Sequence, residues 1–262
     1  MSQQTLEITI TKGVGTIVMN RPEVHNAFDD ELIAALTAHL HKLDETQEVR
    51  VIVLAANGKS FSAGADLNWM KRMARYTEAE NLRDARALAG LMRTLNELRK
   101  PSVARVQGAA LGGGVGLVAC CDVAVAAEPA SFSLSEARLG LIPSVISPYV
   151  MAAIGERAAR RYFLTAERFD AREAHRIGLV HEVVAMDALD GKVAQIAGEF
   201  LKNGPNAVAA AKDLVRLSKA RPVDDELVEE TARRIAAIRV TPEGREGISA
   251  FLDKRRPAWI AS

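Results

Sequence analysis

Three short segments of this chain carry small residues and glycines where no ordinary turn asks for them. The first is Ser60-Phe61-Ser62-Ala63-Gly64-Ala65-Asp66. The second runs from Gly108 through Gly112-Gly113-Gly114 to Gly116, and the third is Ser133-Leu134-Ser135-Glu136, followed by Leu139-Gly140-Leu141-Ile142-Pro143. The triple glycine precedes an apolar run, 115–121, that reads as a buried helix. A glycine-rich helix start leaves backbone N–H groups unobstructed, and the helix dipole favours negative charge there. Such donors suit an oxyanion that forms during a reaction. The spacing matches neither the dinucleotide pattern GxGxxG nor a GK[ST] phosphate loop. The same glycines would also serve tight helix–strand packing. Around Ala63, small residues again keep backbone donors accessible, and Asp66 reads as a cap for a following helix. Glu136 sits among apolar residues, where a carboxyl group has a raised pKa and suits proton transfer. The competing reading is a surface glutamate paired with Arg138.

The elements that position these segments are legible in part. Leu6, Ile8 and Ile10 alternate, residues 12–15 read as a turn, and 16–19 as the returning strand. Asp29 is a good N-cap for a helix to about Leu43, with Leu32, Ile33, Leu36, Leu40 and Leu43 on one face. Residues 49–55, 102–106 and 122–126 read as strands, and 79–98 as a long amphipathic helix stopped by Pro101. From about Met151 helix formers dominate. Pro205, Pro222 and Pro242 each begin a plausible helix, since proline suits a first turn. The expected organisation is an α/β core, 1–200, and a helical region, 201–262.

Composition narrows the function classes. The 262 residues are 48% hydrophobic and 26% charged with formal charge +1, an ordinary globular balance with no field that recruits nucleic acid or membrane. Aromatic residues are 5%, which argues against base-stacking platforms. No run approaches the roughly 18 apolar residues of a membrane span. Residues 1–12 lack a leader pattern, and adjacent Cys120 and Cys121 cannot staple distant segments, so a reduced cytoplasmic protein is expected. Two cysteines fall short of a thiolate zinc site, and His39 and His41 do not share a helix face, so no metal is expected.

Taken in order, Asn20-Arg21-Pro22-Glu23-Val24-His25-Asn26-Ala27, Phe61 to Asp66, Ala110-Leu111-Gly112-Gly113-Gly114 and Gly247 to Arg255 resemble the crotonase family of enoyl-CoA hydratases and isomerases. The resemblance covers essentially the whole chain. It implies an α/β, right-handed spiral of ββα units with a C-terminal helical region that builds trimers, often paired into hexamers. It implies no cofactor beyond the coenzyme A carried by the acyl-CoA substrate. The thioester carbonyl would sit between the N–H groups of Ala63 and Gly113. Ala63, Ala65 and Asp66 would meet the adenosine end of CoA, Arg21 and Val24 the phosphopantetheine. Phe251 and Lys254 would reach CoA, commonly across a subunit boundary. Hydratases of the family usually carry two glutamates. Here Glu136 holds one position, and Gly116 stands at the other, which would enlarge the pocket. The stretch from Pro143 to Val150 resembles hydratases of branched, carboxylated substrates such as 3-methylglutaconyl-CoA, with Arg138, Ser144 and Ser147 as candidates to receive the second carboxylate. A double-bond isomerase using Glu136 alone, and a catalytically silent CoA- or RNA-binding scaffold, are the alternatives.

Overall fold

A computed structural model describes residues 5–219 and 221–260; Met1 to Gln4, part of the segment read for a leader pattern, lie outside the described residues. The chain opens with a hairpin of β1 (Leu6–Thr11) and β2 (Val14–Met19). Its turn is Lys12-Gly13 alone, with φ of 49° and 82°, the left-handed pair that matches strand twist in two-residue hairpins. The strand therefore resumes at Val14, two residues earlier than the sequence suggests. Next, α1 (Asp30–Glu45) is capped by Asp29, whose side chain accepts the Leu32 N–H at 2.8 Å, and it buries the five expected residues.

Three successive turns of the chain then repeat one plan. Each supplies a strand to a first sheet, a strand to a second sheet, and one or two helices. The first turn gives β3 (Val51–Ala56), β4 (Ser60–Ser62), α2 (Leu67–Met73) and α3 (Glu78–Glu97). The second gives β5 (Ser102–Val106), β6 (Ala109–Leu111) and α4 (Gly113–Cys120). The third gives β7 (Val123–Ala127), β8 (Ser131–Ser133) and α5 (Ser147–Thr165). Neighbours β3, β5 and β7 pair in parallel, as do β4, β6 and β8, so the chain winds as a spiral. After β9 (Phe169–Asp170), α6 (Ala171–Arg176) and β10 (Glu182–Val184), the sheets read β1-β2-β3-β5-β7-β10 and β4-β6-β8-β9.

The larger sheet is covered on both faces. The main core packs Ile52, Leu54 and Ala104 against α1, α3 and α4. On the other face Val51, Val53, Val103 and Val125 meet Leu189, Val193 and Ala197 of α7 (Leu189–Leu201). All six residues of β3 are consequently buried, the physical reason its sequence is an unbroken apolar run.

Three helices follow: α8 (Pro205–Ser218), α9 (Asp225–Arg239) and α10 (Pro242–Leu252). Pro205 and Pro242 open helices as expected. Pro222 does not; α9 begins after Asp224, whose side chain accepts the Leu227 N–H. Lys212 ties α8 to the core through Asp122 at 2.7 Å. Among the described residues no helix is long and apolar enough to cross a membrane.

Candidate active site

The two glycine-bearing loops meet where the second sheet ends. Past β4 the chain runs beside residues 25–28. Ala63 N–H donates to the His25 carbonyl at 3.0 Å, Phe28 N–H to Gly64 O at 2.6 Å, and Asp66 N–H to Phe28 O at 2.8 Å. This is a parallel bridge between Phe28 and Ala65. In such a bridge Ala65 points its own N–H away from Phe28, and among the described residues that N–H has no acceptor. The resemblance named Ala63 as a donor to substrate. The structure corrects this: the Ala63 N–H is spent on His25, and the open donor of the loop is Ala65.

The second open donor lies at the start of α4. Val115 and Gly116 N–H groups return to the Gly112 carbonyl at 2.9 and 3.3 Å, while those of Gly113 and Gly114 have no acceptor among the described residues. Close packing imposes glycine here as well. A Cβ at Gly114 would stand 2.8 Å from Ser62 O, and one at Gly113 3.0 Å from the Phe28 ring. The triple glycine therefore packs closely and leaves backbone donors open at once. Gly64, with φ of 84°, completes the contact beneath the Leu111 carbonyl.

Glu136 reaches this place from a single 3-10 turn, residues 135–139, that follows β8 and ends at left-handed Gly140. A Cβ at Gly112 would lie 3.0 Å from Glu136 Oε1, so the carboxyl sits against the beginning of α4. Its Oε2 is buried without a hydrogen-bond partner. Burial pushes the carboxyl above the ordinary glutamate range, offset in part by its own backbone N–H. Arg138, two residues on, is exposed and makes no ion pair with Glu136 or any other described residue. The surface-pair reading of Glu136 does not hold.

Gly116 does not enlarge a pocket. A Cβ there would stand 2.3 Å from Ile146 Cγ2 and 3.2 Å from Met92 Sδ, so the volume is already filled. Ser147 Oγ donates to the Ser144 carbonyl at 2.8 Å, which commits that hydroxyl to the first turn of α5; Ser144 itself is exposed.

Arg21 and Asp66 are tied into the scaffold. Arg21 Nη1 binds Asp29 at 2.6 Å and the Ala27 carbonyl at 3.0 Å, and Nη2 lies 3.7 Å from Asp66. Asp66 Oδ1 caps α2 by accepting from Asn68 at 2.8 Å and Trp69 at 3.2 Å. The cap read from sequence is present, and the charges expected at CoA hold loops to one another. Val24 is half-buried at the end of a short 3-10 turn, residues 22–24. Phe251, 82% exposed at the end of α10, and Lys254, exposed just beyond it, face solvent in the single chain. Cys120 and Cys121 are buried, with the Cys121 thiol pushed up to about 12, so neither is a reactive thiolate.

The sequence pointed to Ala65 only as a CoA contact, not as the open donor, and gave no sign of the His25 carbonyl or Ile146. One trace of the loop that carries the His25 carbonyl is visible in the structure. The pair His25-Asn26 adopts left-handed backbone, and the Asn26 side chain donates to the carbonyls of Asn57 and Ser60, both at 2.9 Å, which fixes the loop that takes the Ala63 donor.

A family model described as enoyl-CoA hydratase/isomerase matches residues 9–261. The chain is 34% identical to a 2,3-dehydroadipyl-CoA hydratase of Escherichia coli, over 92% of each chain. It is 30% identical to a crotonyl-CoA hydratase of Syntrophomonas wolfei over the full length of both. A solved enoyl-CoA hydratase from Shewanella pealeana is 45% identical and superposes with a TM-score of 0.96, covering 98% of this chain and 97% of that one. With its spiral of ββα turns and its open donors at the start of α4, the chain belongs to the enoyl-CoA hydratase/isomerase family, the crotonases.

Proposed function

We propose that this crotonase adds water reversibly across the double bond of a short or branched 2-enoyl-CoA, with Glu136 as its proton-transfer group. Enoyl-CoA hydratase activity on acyl-CoA thioesters follows from the family. The observation that carries the residue assignment is the buried, unpartnered Oε2 of Glu136 beside the open donors of α4.

In this reading the thioester oxygen accepts from Ala65 and Gly113. Those donors stabilise the enolate as charge moves onto that oxygen. The Glu136 carboxylate takes a proton from water as the hydroxyl bonds to the β-carbon. The same carboxyl then delivers that proton to the α-carbon, so H and OH of one water are added and Glu136 returns to its starting state.

The finer substrate assignment is a carboxylated acyl group of the 3-methylglutaconyl-CoA type. Arg138 supports it as an exposed guanidinium, two residues from Glu136, with no ion pair among the described residues. A cation of this kind suits a second carboxylate. Ser147 is a weaker candidate, its hydroxyl being committed to Ser144. One observation favours a second reading, a double-bond isomerase: Ile146 fills the place of a second acid, and a 1,3-proton shift needs only one carboxylate.

We further propose that residues 201–262 are the oligomerisation region, building a homotrimer or a dimer of trimers in the cytoplasm. Support comes from the apolar residues that α8 to α10 leave exposed, among them Val215, Val228, Ile248, Phe251 and Leu252. Lys254 would then meet the CoA of a neighbouring subunit.

The test is turnover of crotonyl-CoA, 3-methylglutaconyl-CoA and a 3-enoyl-CoA, followed by absorbance of the conjugated thioester. Loss of absorbance with the first two supports hydration, with the carboxylated substrate preferred. Turnover of the 3-enoyl substrate alone would establish the isomerase instead.

A further inference from the structure

The space over Gly116 holds a particular neighbour. A Cβ on Gly116 would lie 2.3 Å from Ile146 Cγ2 and 3.0 Å from Ile146 Cβ, while one on Gly112 would lie 3.0 Å from Glu136 Oε1. Positions four apart on a helix face stand about 5–6 Å from one another. A bare glycine face of α4 thus presents the Glu136 carboxyl at one turn and the Ile146 side chain at the next. Ile146 cannot readily swing aside. It is 2% exposed, and its carbonyl accepts from Tyr149 at 3.1 Å and Val150 at 3.0 Å, starting α5.

We propose that Ile146 is a specificity-determining residue: it occupies the position from which a second carboxylate would act, confines proton transfer to Glu136, and restricts that side of the acyl groove to apolar substituents. The proposal rests on the assignment of Glu136 above. A substrate with a second carboxylate must then turn it toward Arg138, not toward α4.

Few other groups can titrate here. Arg138 lies on the turn of Glu136, Cys120 on α4 and Tyr149 on α5, with Arg93 and Glu97 of α3 on the Tyr149 side. Burial pushes both the Cys120 thiol and the Tyr149 phenol upward, away from neutral pH.

The experiment measures kcat/KM for crotonyl-CoA from about pH 5 to 9, together with thermal unfolding. It compares the wild type with Ile146→Ala, Gly116→Glu and the double variant Gly116→Glu/Ile146→Ala. The wild type is expected to show one ionisation. Gly116→Glu should unfold at lower temperature, because its side chain meets Ile146. The double variant should recover the unfolding temperature of Ile146→Ala, show a second ionisation, and exceed the kcat of Ile146→Ala at least tenfold. A second ionisation in the wild type, or a folded double variant with only one, overturns the proposal. If the double variant does not fold, the wild-type profile still decides. Glu136→Gln separates the two failures. An inactive Glu136→Gln with a two-ionisation wild type refutes only the role of Ile146, whereas an active Glu136→Gln refutes the assignment of Glu136 itself.

Discussion

The N–H of Ala63 donates to the carbonyl of His25 at 3.0 Å, and this bond decides which backbone donors remain for a substrate. Replacing the amide at residue 65 by an ester, by incorporating lactic acid, removes the open N–H without changing the side chain. The expected result is a loss of about 10²–10³ in kcat for crotonyl-CoA, with CoA affinity little changed. The same exchange at residue 63 should cost roughly 0.5–1.5 kcal/mol of stability with a far smaller effect on kcat. Equal kinetic losses at the two positions would remove the distinction.

Glu136 should cost the protein stability when ionised. Burial raises its folded-state pKa above the unfolded value, so its favourable contribution is complete below the unfolded pKa and is lost as pH rises through the folded one. Glu136→Gln should therefore melt at higher temperature than the wild type at pH 7 to 8. The gap should close below the ordinary glutamate range, at about pH 3. Melting curves at these pH values check it. A variant less stable than the wild type at pH 8 would contradict the burial reading.

How much of this was legible in the sequence follows from how local each signal is. The Asp29 cap and the α1 face are set by residues within one or two turns, and both are as expected. The central strands showed because burial on two faces leaves a continuous apolar run. The second sheet did not show, since β4, β6 and β8 are three residues each, too short for a pattern. The choice between Ala63 and Ala65 depends on pairing with a loop some 38 residues earlier. The space at Gly116 depends on Ile146, 30 residues later. Glycine advertises room, and only the folded chain tells whether something else has taken it.

Asp66 offers a test of scaffold against ligand contact. Its carboxylate caps α2 and faces Arg21. Asp66→Ala should lose about 0.5–2 kcal/mol from the cap, read by denaturant unfolding. KM for crotonyl-CoA in the folded fraction should stay within about threefold, less than one hydrogen bond to substrate would be worth. A large KM increase without loss of stability would restore Asp66 to the CoA contacts.

Arg138 carries the substrate assignment. Arg138→Ala should lower kcat/KM for 3-methylglutaconyl-CoA by at least about tenfold, the worth of a charge-assisted hydrogen bond, and leave crotonyl-CoA within about threefold. A parallel loss on both substrates would place Arg138 in general positioning.

Phe251 gives the same kind of handle on assembly, because it is 82% exposed on α10 in the single chain. Sedimentation of the wild type should give a multiple of three 28.3 kDa chains, and Phe251→Asp should shift it toward monomer. A wild-type monomer at micromolar concentration would contradict the proposed role of residues 201–262.

Whether one carboxyl performs the proton transfer is read from the hydration rate of crotonyl-CoA with Glu136→Gln. The expected fall in kcat is at least about 10³, within the range contributed by general acid–base catalysis, with the fold intact and CoA still bound. A Glu136→Gln enzyme that hydrates crotonyl-CoA within about tenfold of the wild type would contradict it.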